Sequence, residues 1–181
     1  MDITKLKRIF DFLEEEGEHN TPVKWKLINN IPLKEEDLNV KGDLDLSKSN
    51  ITLLPEGLKV GGNLSLRRLK ITSLPEGLEV GGWLDLAHTF VESLPEGLKV
   101  GGNLSLFKCV KLTSLPEGLQ VVGLLDLSFS RVELLPEDLK VGGTLHIENT
   151  PLKKYTNKEL RGMIKSGFIK GKIYRTWKKK H

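Results

Sequence analysis

The chain has 181 residues, of which 38% are hydrophobic, and a formal net charge of +4 at pH 7. This is about the size of one domain, and no run approaches the roughly 18 to 20 apolar residues that span a bilayer. The start, Met1 to Glu18, is charged and acidic rather than basic and then hydrophobic, so we expect no secretion signal. The single cysteine, Cys109, cannot form an internal disulfide, which favours a reducing compartment such as the cytoplasm, or a particle assembled there.

The first 37 residues predict an N-terminal cap. One helical stripe is formed by Ile3, Leu6, Ile9, Phe10 and Leu13. Asp2 can cap the start of this helix and Gly17 can end it, and Val23, Trp25 and Leu27 then alternate as in an edge strand. Because the end of a repeat array needs a cover for its core, we expect a structural role for residues 1–37.

Residues 38–152 contain an internal repeat. Leu-Pro-Glu begins at Leu54, Leu74, Leu94, Leu115 and Leu135, with spacings of 20, 20, 21 and 20 residues. Within a unit, Leu64 and Leu66 alternate with polar residues, which is the period of a strand with one buried face. With a less regular copy at each end, the pattern predicts six turns of a solenoid. Each turn contributes one short strand to a parallel sheet, and Pro75 in the return segment excludes a long helix there.

From Gly61 to Ile71 the unit follows Leu-x-x-Leu-x-Leu-x-x-Asn-x-Leu, except at Gly61 and Leu69. The chain therefore resembles the leucine-rich-repeat family, and its short Leu-Pro units are similar to those of bacterial effector proteins and of repeat proteins from phages and other viruses. The resemblance implies an α/β solenoid, a single-domain horseshoe with about six short parallel strands. It also implies that a side chain at the asparagine position bonds the backbone of its own turn. Hydroxyls can do this at Ser49, Thr89, Ser130 and Thr150.

Residues 153–181 predict a C-terminal cap followed by a basic tail. Thr156 and Glu159 have the spacing of a capping box, Gly167 can end the helix, and residues 168–174 can add a short strand. The segment has 11 Lys and Arg against one Glu, a net charge of +10, which leaves −6 for the rest of the +4 chain. The basic tail can be merely solvated, and the alternative hypothesis is a virion-associated or nucleic-acid-binding protein that uses this segment. Its contact residues would be Lys170, Lys172, Tyr174, Arg175, Trp177, Lys178, Lys179 and Lys180.

The outward strand positions offer no set of catalytic or metal-binding groups. The central row reads Asp45, Ser65, Asp85, Ser105, Asp126 and His146, so its acids lie on alternate turns, roughly 9 to 10 Å apart. Carboxylates at that distance cannot share a metal ion. Asp126 and His146 can pair, but Ser105 lies on the far side of Asp126, whereas a catalytic triad needs the histidine between the nucleophile and the acid. The glycine pairs precede strands rather than helices, unlike a phosphate loop. We therefore expect no enzyme activity, metal or cofactor.

Apolar and basic side chains also lie at or just beyond the outward strand positions, on the concave face of the expected horseshoe. This combination is typical of binding hot spots. We expect a protein partner to bind this face between the third and fifth turns, and self-association or covering by a cap are the alternatives. The predicted contact residues are Arg67, Arg68, Trp83, Asp85, His88, Phe107, Lys108, Leu124 and Phe129.

Overall fold

The computed structural model describes residues 22–176 together with Lys7 and Asp11. The described chain winds into a solenoid with two parallel sheets of seven strands each. The first sheet consists of β1 (Asn39–Val40), β3 (Lys59–Val60), β5 (Glu79–Val80), β7 (Lys99–Val100), β9 (Gln120–Val121), β11 (Lys140–Val141) and β13 (Phe168–Ile169). The second sheet consists of β2 (Leu44–Asp45), β4 (Leu64–Ser65), β6 (Leu84–Asp85), β8 (Leu104–Ser105), β10 (Leu125–Asp126), β12 (Leu145–His146) and β14 (Ile173–Tyr174).

The corner between these two sheets has glycine at its second position in every described turn, and these residues are Gly42, Gly62, Gly82, Gly102, Gly123, Gly143 and Gly171. A Cβ atom at Gly143 would lie 2.7 Å from the carbonyl oxygen of Gly123, and one at Gly171 would lie 2.4 Å from that of Gly143. Such distances are far below van der Waals contact, so glycine at this position lets successive corners stack this closely. The corner reorients the chain, and the residues before and after it therefore belong to different sheets.

The expectation of one sheet with about six strands in an α/β horseshoe is wrong in this respect. Over the described residues, the structure is a β-solenoid with two sheets, 14 strands and few helices. The missed strand of each turn is only two residues long, as in Lys59–Val60, and it has a single inward side chain. A strand with one inward residue shows no alternation, so the period of two was visible only in the second sheet.

The core is a stack of equivalent inward side chains from successive turns. In one unit these are Val60, Leu64, Leu66, Ile71, Leu74 and Leu78, all of them buried as the repeat pattern predicts. Each turn buries its apolar residues against the turns above and below it, so stability is shared between neighbours.

A second inward row carries the polar residues at the asparagine position. Ser49 Oγ and Thr89 Oγ1 each donate to a carbonyl oxygen of their own turn at 2.7 Å, and Thr150 Oγ1 does so at 2.9 Å. The predicted hydroxyl bonds are thus confirmed at these three positions. Cys109 is fully buried in the same row, where its Sγ lies 3.1 Å from the Leu86 oxygen, and burial raises the pKa of this thiol to about 11.

The N-terminal cap differs from the expectation at one point. Val23, Trp25 and Leu27 lie in a helix, α1 (Val23–Asn29), and not in an edge strand, and a 3₁₀ turn at Glu35–Leu38 follows it. Three alternating residues also fit a helix, because Val23 and Leu27 are one turn apart. The predicted helix over residues 3–13 falls outside the described residues except for Lys7 and Asp11, which are helical.

The C-terminal cap follows the prediction and extends it. Helix α2 (Asn157–Met163) begins with a capping box, in which the Thr156 N–H donates to Glu159 Oε2 and the Glu159 N–H donates to Thr156 Oγ1. The expected short strand is present as two strands, β13 and β14, which add a seventh turn in register with β11 and β12. Across residues 22–176, Lys7 and Asp11, no helix has the length and hydropathy needed to cross a bilayer.

A buried ion pair ties α1 to the 3₁₀ turn that leads into the first strand. Lys26 Nζ lies 2.8 Å from both carboxylate oxygens of Asp37, and the two side chains are only 7% and 9% exposed. Burial raises the pKa of Asp37, but the bonds from Lys26 and from the Lys34 N–H outweigh it, so the pKa lies below the usual 3.8.

We predict that Lys26→Met lowers the free energy of unfolding by about 3 kcal/mol, because it leaves a buried carboxylate unpaired. The double variant Lys26→Met/Asp37→Leu should recover most of this loss, since it removes both charges. In the parent, the contribution of Asp37 is present above the unfolded carboxyl pKa and is lost as the pH falls through the lowered folded value. Urea unfolding at pH 7 and pH 3 measures the free energy of unfolding of the parent and of both variants. Surface substitutions usually change it by up to about 0.5 kcal/mol, so a Lys26→Met value within that distance of the parent would contradict the prediction.

Candidate functional site

The outward side of the second sheet, which we call the second-sheet face, has four side-chain positions in each turn. In the third turn these are Trp83, Asp85, Ala87 and His88: one before the strand, one in it and two after the next inward leucine. Strand pairing sets equivalent positions of neighbouring turns side by side, as with Asp85 and Ser105. The rungs of each row are therefore about 4.8 Å apart.

In the row before the strand, side-chain oxygens of one turn accept hydrogen bonds from the main-chain N–H of the next turn. This ladder of bonds is interrupted after Trp83 and after Leu124. Asn63 Oδ1 accepts from the Trp83 N–H at 2.9 Å, and Asn103 Oδ1 accepts from the Leu124 N–H at 2.8 Å. Trp83 and Leu124 cannot accept a bond in this way, so the turns that follow them, at Asn103 and Thr144, lack this bond. Trp83 is instead 41% exposed on the second-sheet face. At both breaks an apolar side chain replaces a structural hydrogen bond.

An aromatic cluster occupies the rows after the strand. The Phe107 ring centroid lies 5.3 Å from that of Phe129 and 5.5 Å from that of His88. Lys108 Nζ lies 5.4 Å from the Phe107 centroid and 5.7 Å from that of Phe129, within the range of a cation–π contact. An open groove of about 470 Å³ adjoins the cluster and is lined by Arg67, Ser105, Phe107, Asp126, Phe129 and Glu148.

A smaller groove of about 260 Å³ lies between the two apolar residues that break the ladder. Trp83 and Leu124 are two turns apart, and Asn103 stands between them. Its other lining residues are Leu84, Asp85, Ser105, Asp126 and His146. Because Ser105 and Asp126 line both grooves, the two grooves adjoin across the strands of the second sheet.

The last of the four rows lies at a second corner of the chain, where the residue of most turns has a left-handed backbone conformation. Arg68, His88, Lys108 and Phe129 have φ values of 63°, 61°, 58° and 61°, and Asn149 has 52°. Side chains with a Cβ rarely adopt this conformation, and asparagine tolerates it best. Four of these residues, Arg68, His88, Lys108 and Phe129, belong to the predicted binding surface, but their left-handed backbone was not predicted. The only sequence signal for it is Asn149, a typical left-handed residue, in the sixth turn.

The aspartates of the central row have structural roles. One oxygen of each accepts from the main-chain N–H two residues later, at 2.9 Å for Asp45 and 2.8 Å for Asp85 and Asp126. Asp85 Oδ2 also lies 3.6 Å from Arg67 Nη1, and Asp126 is only 7% exposed. Among the described residues, no group of three or more His, Cys, Asp or Glu is placed to hold a metal ion.

The described residues of the predicted nucleic-acid set make different contacts within the C-terminal cap. Arg175 clamps the C-terminal cap, since its guanidinium donates to the Lys153 oxygen at 3.0 Å, to the Tyr155 oxygen and to Asn157 Oδ1. Lys170 Nζ lies 5.2 Å from the centroid of the Phe168 ring, and the Tyr174 ring centroid lies 5.0 Å from that of His146. Lys172 is exposed. Trp177, Lys178, Lys179 and Lys180 fall outside the described residues.

Comparisons with known proteins give no relative from which the site could be interpreted. No protein-family model matches the chain, and neither a curated protein nor a solved structure matches it. The fold class shown by the structure itself is a repeat-based parallel-sheet solenoid with turns of about 20 residues.

We predict that Trp83→Asn is more stable than Trp83→Ala by about 1 kcal/mol, the usual contribution of one hydrogen bond. Asparagine at this position can accept from the Asn103 N–H, as Asn63 and Asn103 do for the turns after them. The two variants lose nearly the same ring contacts, so urea unfolding of both isolates the ladder bond. Equal stabilities would show that the ladder contributes nothing at this turn.

We predict that His88 titrates below its ordinary pKa of 6.5. Burial lowers its pKa most, followed by the positive charges of Lys108, Arg67 and Arg68, and Asp85 opposes them. Lys108→Asn should therefore raise the pKa of His88. NMR titration of the imidazole C–H signals, with His88→Asn to assign them, measures both values, and an unchanged pKa in the lysine variant would contradict this account.

Proposed function

We propose that this protein is a non-catalytic interaction module of the leucine-rich-repeat type, which binds a partner protein through the second-sheet face. The observation that carries the proposal is the half-buried aromatic cluster of Phe107 and Phe129, with the exposed Trp83 on the same face. At the Phe107 position the neighbouring turns carry the small residues Ala87 and Ser128, so this ring stands between two short side chains.

The composition of this face supports protein binding. Aromatic residues and arginine are enriched at hot spots, where a few anchors in a groove provide most of the binding energy. Here Trp83, Phe107 and Phe129 stand beside two adjoining grooves, and Arg67 lines one of them. The apolar anchors are accompanied by polar groups that can orient a partner.

The chemistry of the same face supports a role without catalysis. Asp85 and Asp126 each use one oxygen to hold a turn, and Asp126 is buried. Cys109 is buried and its pKa is raised to about 11, so at neutral pH it is a thiol and not a nucleophilic thiolate.

The short Leu-Pro units support a bacterial or viral origin, and the single cysteine supports a cytoplasmic location.

The basic C-terminal segment is not the proposed surface. Arg175 is engaged in holding the 3₁₀ turn and α2, and the Tyr174 ring packs against His146. The Arg175 side chain therefore serves the cap through hydrogen bonds, whereas the Phe107 and Phe129 rings form no hydrogen bond.

We predict that Trp83→Asn/Phe107→Ala weakens binding of the partner at least tenfold, which corresponds to about 1.4 kcal/mol. Both replacements are residues that neighbouring turns carry at these positions, as Asn63 and Ala87 do, so the fold tolerates them. The partner is first identified by affinity capture from the native source, and its Kd is then measured by calorimetry with purified proteins.

The matched control is Leu53→Ser/Leu134→Ser, which removes two side chains that are 71% and 59% exposed outside the second-sheet face. Its Kd should equal that of the parent. An unchanged Kd for the Trp83/Phe107 variant would refute the proposed surface. A large drop in its melting temperature would instead show that the two rings are part of the core.

A further inference from the structure

The left-handed corner of the second to fourth turns carries side chains that the backbone does not favour. Arg68, His88 and Lys108 have positive φ, although Asn149 shows that the same corner accepts asparagine. Glycine or asparagine would relieve the strain at each rung, and the chain uses glycine freely at its other corners. Strained positions that keep large side chains are typical of binding sites, because the strain is retained for what the side chain does.

Two of these cations have no carboxylate partner among the described residues. Neither Arg68 nor Lys108 forms an ion pair there, whereas the neighbouring Arg67 approaches the carboxylate of Asp85. The exposed side chains of Arg68 and Lys108 therefore present uncompensated positive charge. The effect of both charges on His88 is consistent with this, since they help to keep its pKa low.

The neighbouring aspartates do not neutralise this corner. Asp85 is shared between Arg67 and a main-chain N–H, and Asp126 is buried and bonded to the Ser128 N–H. Both lie in the row along the strand, whereas the cations lie two rows further on at the edge of the face. The face is thus positive along this edge and apolar beside it.

The positive edge and the aromatic cluster are continuous, because Lys108 Nζ lies within 6 Å of both the Phe107 and the Phe129 rings. We propose that the partner segment bound by the second-sheet face is an acidic peptide, whose carboxylates pair with Arg68 and Lys108 and whose apolar side chains pack on Phe107 and Phe129. This inference rests on the proposed function and specifies the chemistry of the partner.

The spacing of the corner defines such a peptide further. Arg68 and Lys108 are two turns apart, which at about 4.8 Å per turn is close to 10 Å. A peptide in the polyproline II conformation rises about 3.1 Å per residue with three residues per turn, so its residues i and i+3 point the same way at nearly this distance. Acidic residues at positions i and i+3, with apolar residues between them, therefore match the two cations and the cluster.

Single-stranded nucleic acid fits this surface less well. Base stacking needs an open aromatic face, but Phe107 contacts His88 and Phe129 and has Lys108 above its ring. A phosphate chain also carries a charge on every nucleotide, and its continuation across the groove would meet Asp126 and Glu148. A peptide can place its acids only at the edge.

The test uses a fluorescein-labelled peptide with two Glu-Phe-Leu-Glu units, the same peptide with Gln for Glu, and a 20-nucleotide strand of thymidines. Fluorescence anisotropy at low salt gives the Kd of each probe for the full chain. The tested variant is Arg68→Asn/Lys108→Asn, and the matched control is Lys99→Gln/Lys140→Gln, which removes the same charge from the first sheet.

We expect the acidic peptide to bind the parent, and its Kd to rise at least tenfold in the Arg68/Lys108 variant and less than twofold in the control. The melting temperature of the Arg68/Lys108 variant should equal or exceed that of the parent, because asparagine suits the left-handed corner. If the double variant misfolds, Lys108→Asn alone should still raise the Kd. Equal binding of the Gln peptide, no binding of the acidic one, or tighter binding of the thymidine strand would overturn the proposal.

The natural partner separates this proposal from the proposed function. If Trp83→Asn/Phe107→Ala weakens its binding and Arg68→Asn/Lys108→Asn does not, the surface is right and the acidic peptide is wrong. If neither variant weakens it, the proposed function itself fails.

Discussion

Close stacking of one turn on the next is the constraint on which the rest of this structure depends. At the second position of the corner between the sheets, a Cβ on Gly143 or Gly171 would lie within 2.7 Å of the carbonyl oxygen of the turn before it. Because this position has no side chain, the main-chain bonds between successive corners can form, as from the Gly143 N–H to the Gly123 oxygen at 2.9 Å. No turn buries its leucines alone, so this contact between corners is what gives the whole array a core.

Stacking also turns every position of the repeat into a row of neighbouring side chains, and the rows differ in what they do. In the inward row, Ser49, Thr89, Cys109 and Thr150 are small residues that donate to backbone carbonyls, whereas Leu69 is an apolar member of the same row. The outward row before the strand supports the following turn wherever it carries asparagine. A row therefore has a structural default, and departures from that default identify the residues that serve another purpose.

The second-sheet face is where stability and the proposed function conflict. Trp83 replaces a ladder bond with an exposed ring, and Arg68 and Lys108 hold charges at a corner that favours asparagine. Neither replacement helps the fold, and both fall within the same few turns as the aromatic cluster. A solenoid tolerates such local losses because its stability is spread over many similar interfaces, so a binding surface can be built on one face without disturbing the core.

The sequence by itself determined the period, the inward residues and the C-terminal capping box, because each depends on side chains that are near in sequence or that recur at one spacing. Leu64, Leu66 and Ile71 are identified by alternation and repetition alone. The second sheet, the left-handed corner of Arg68 and Lys108, and the clamp of Arg175 were decided by the tertiary structure. A two-residue strand such as Lys59–Val60 exists only through its pairing with neighbouring turns, and the partners of Arg175 lie 18 to 22 residues away, where no local pattern connects them.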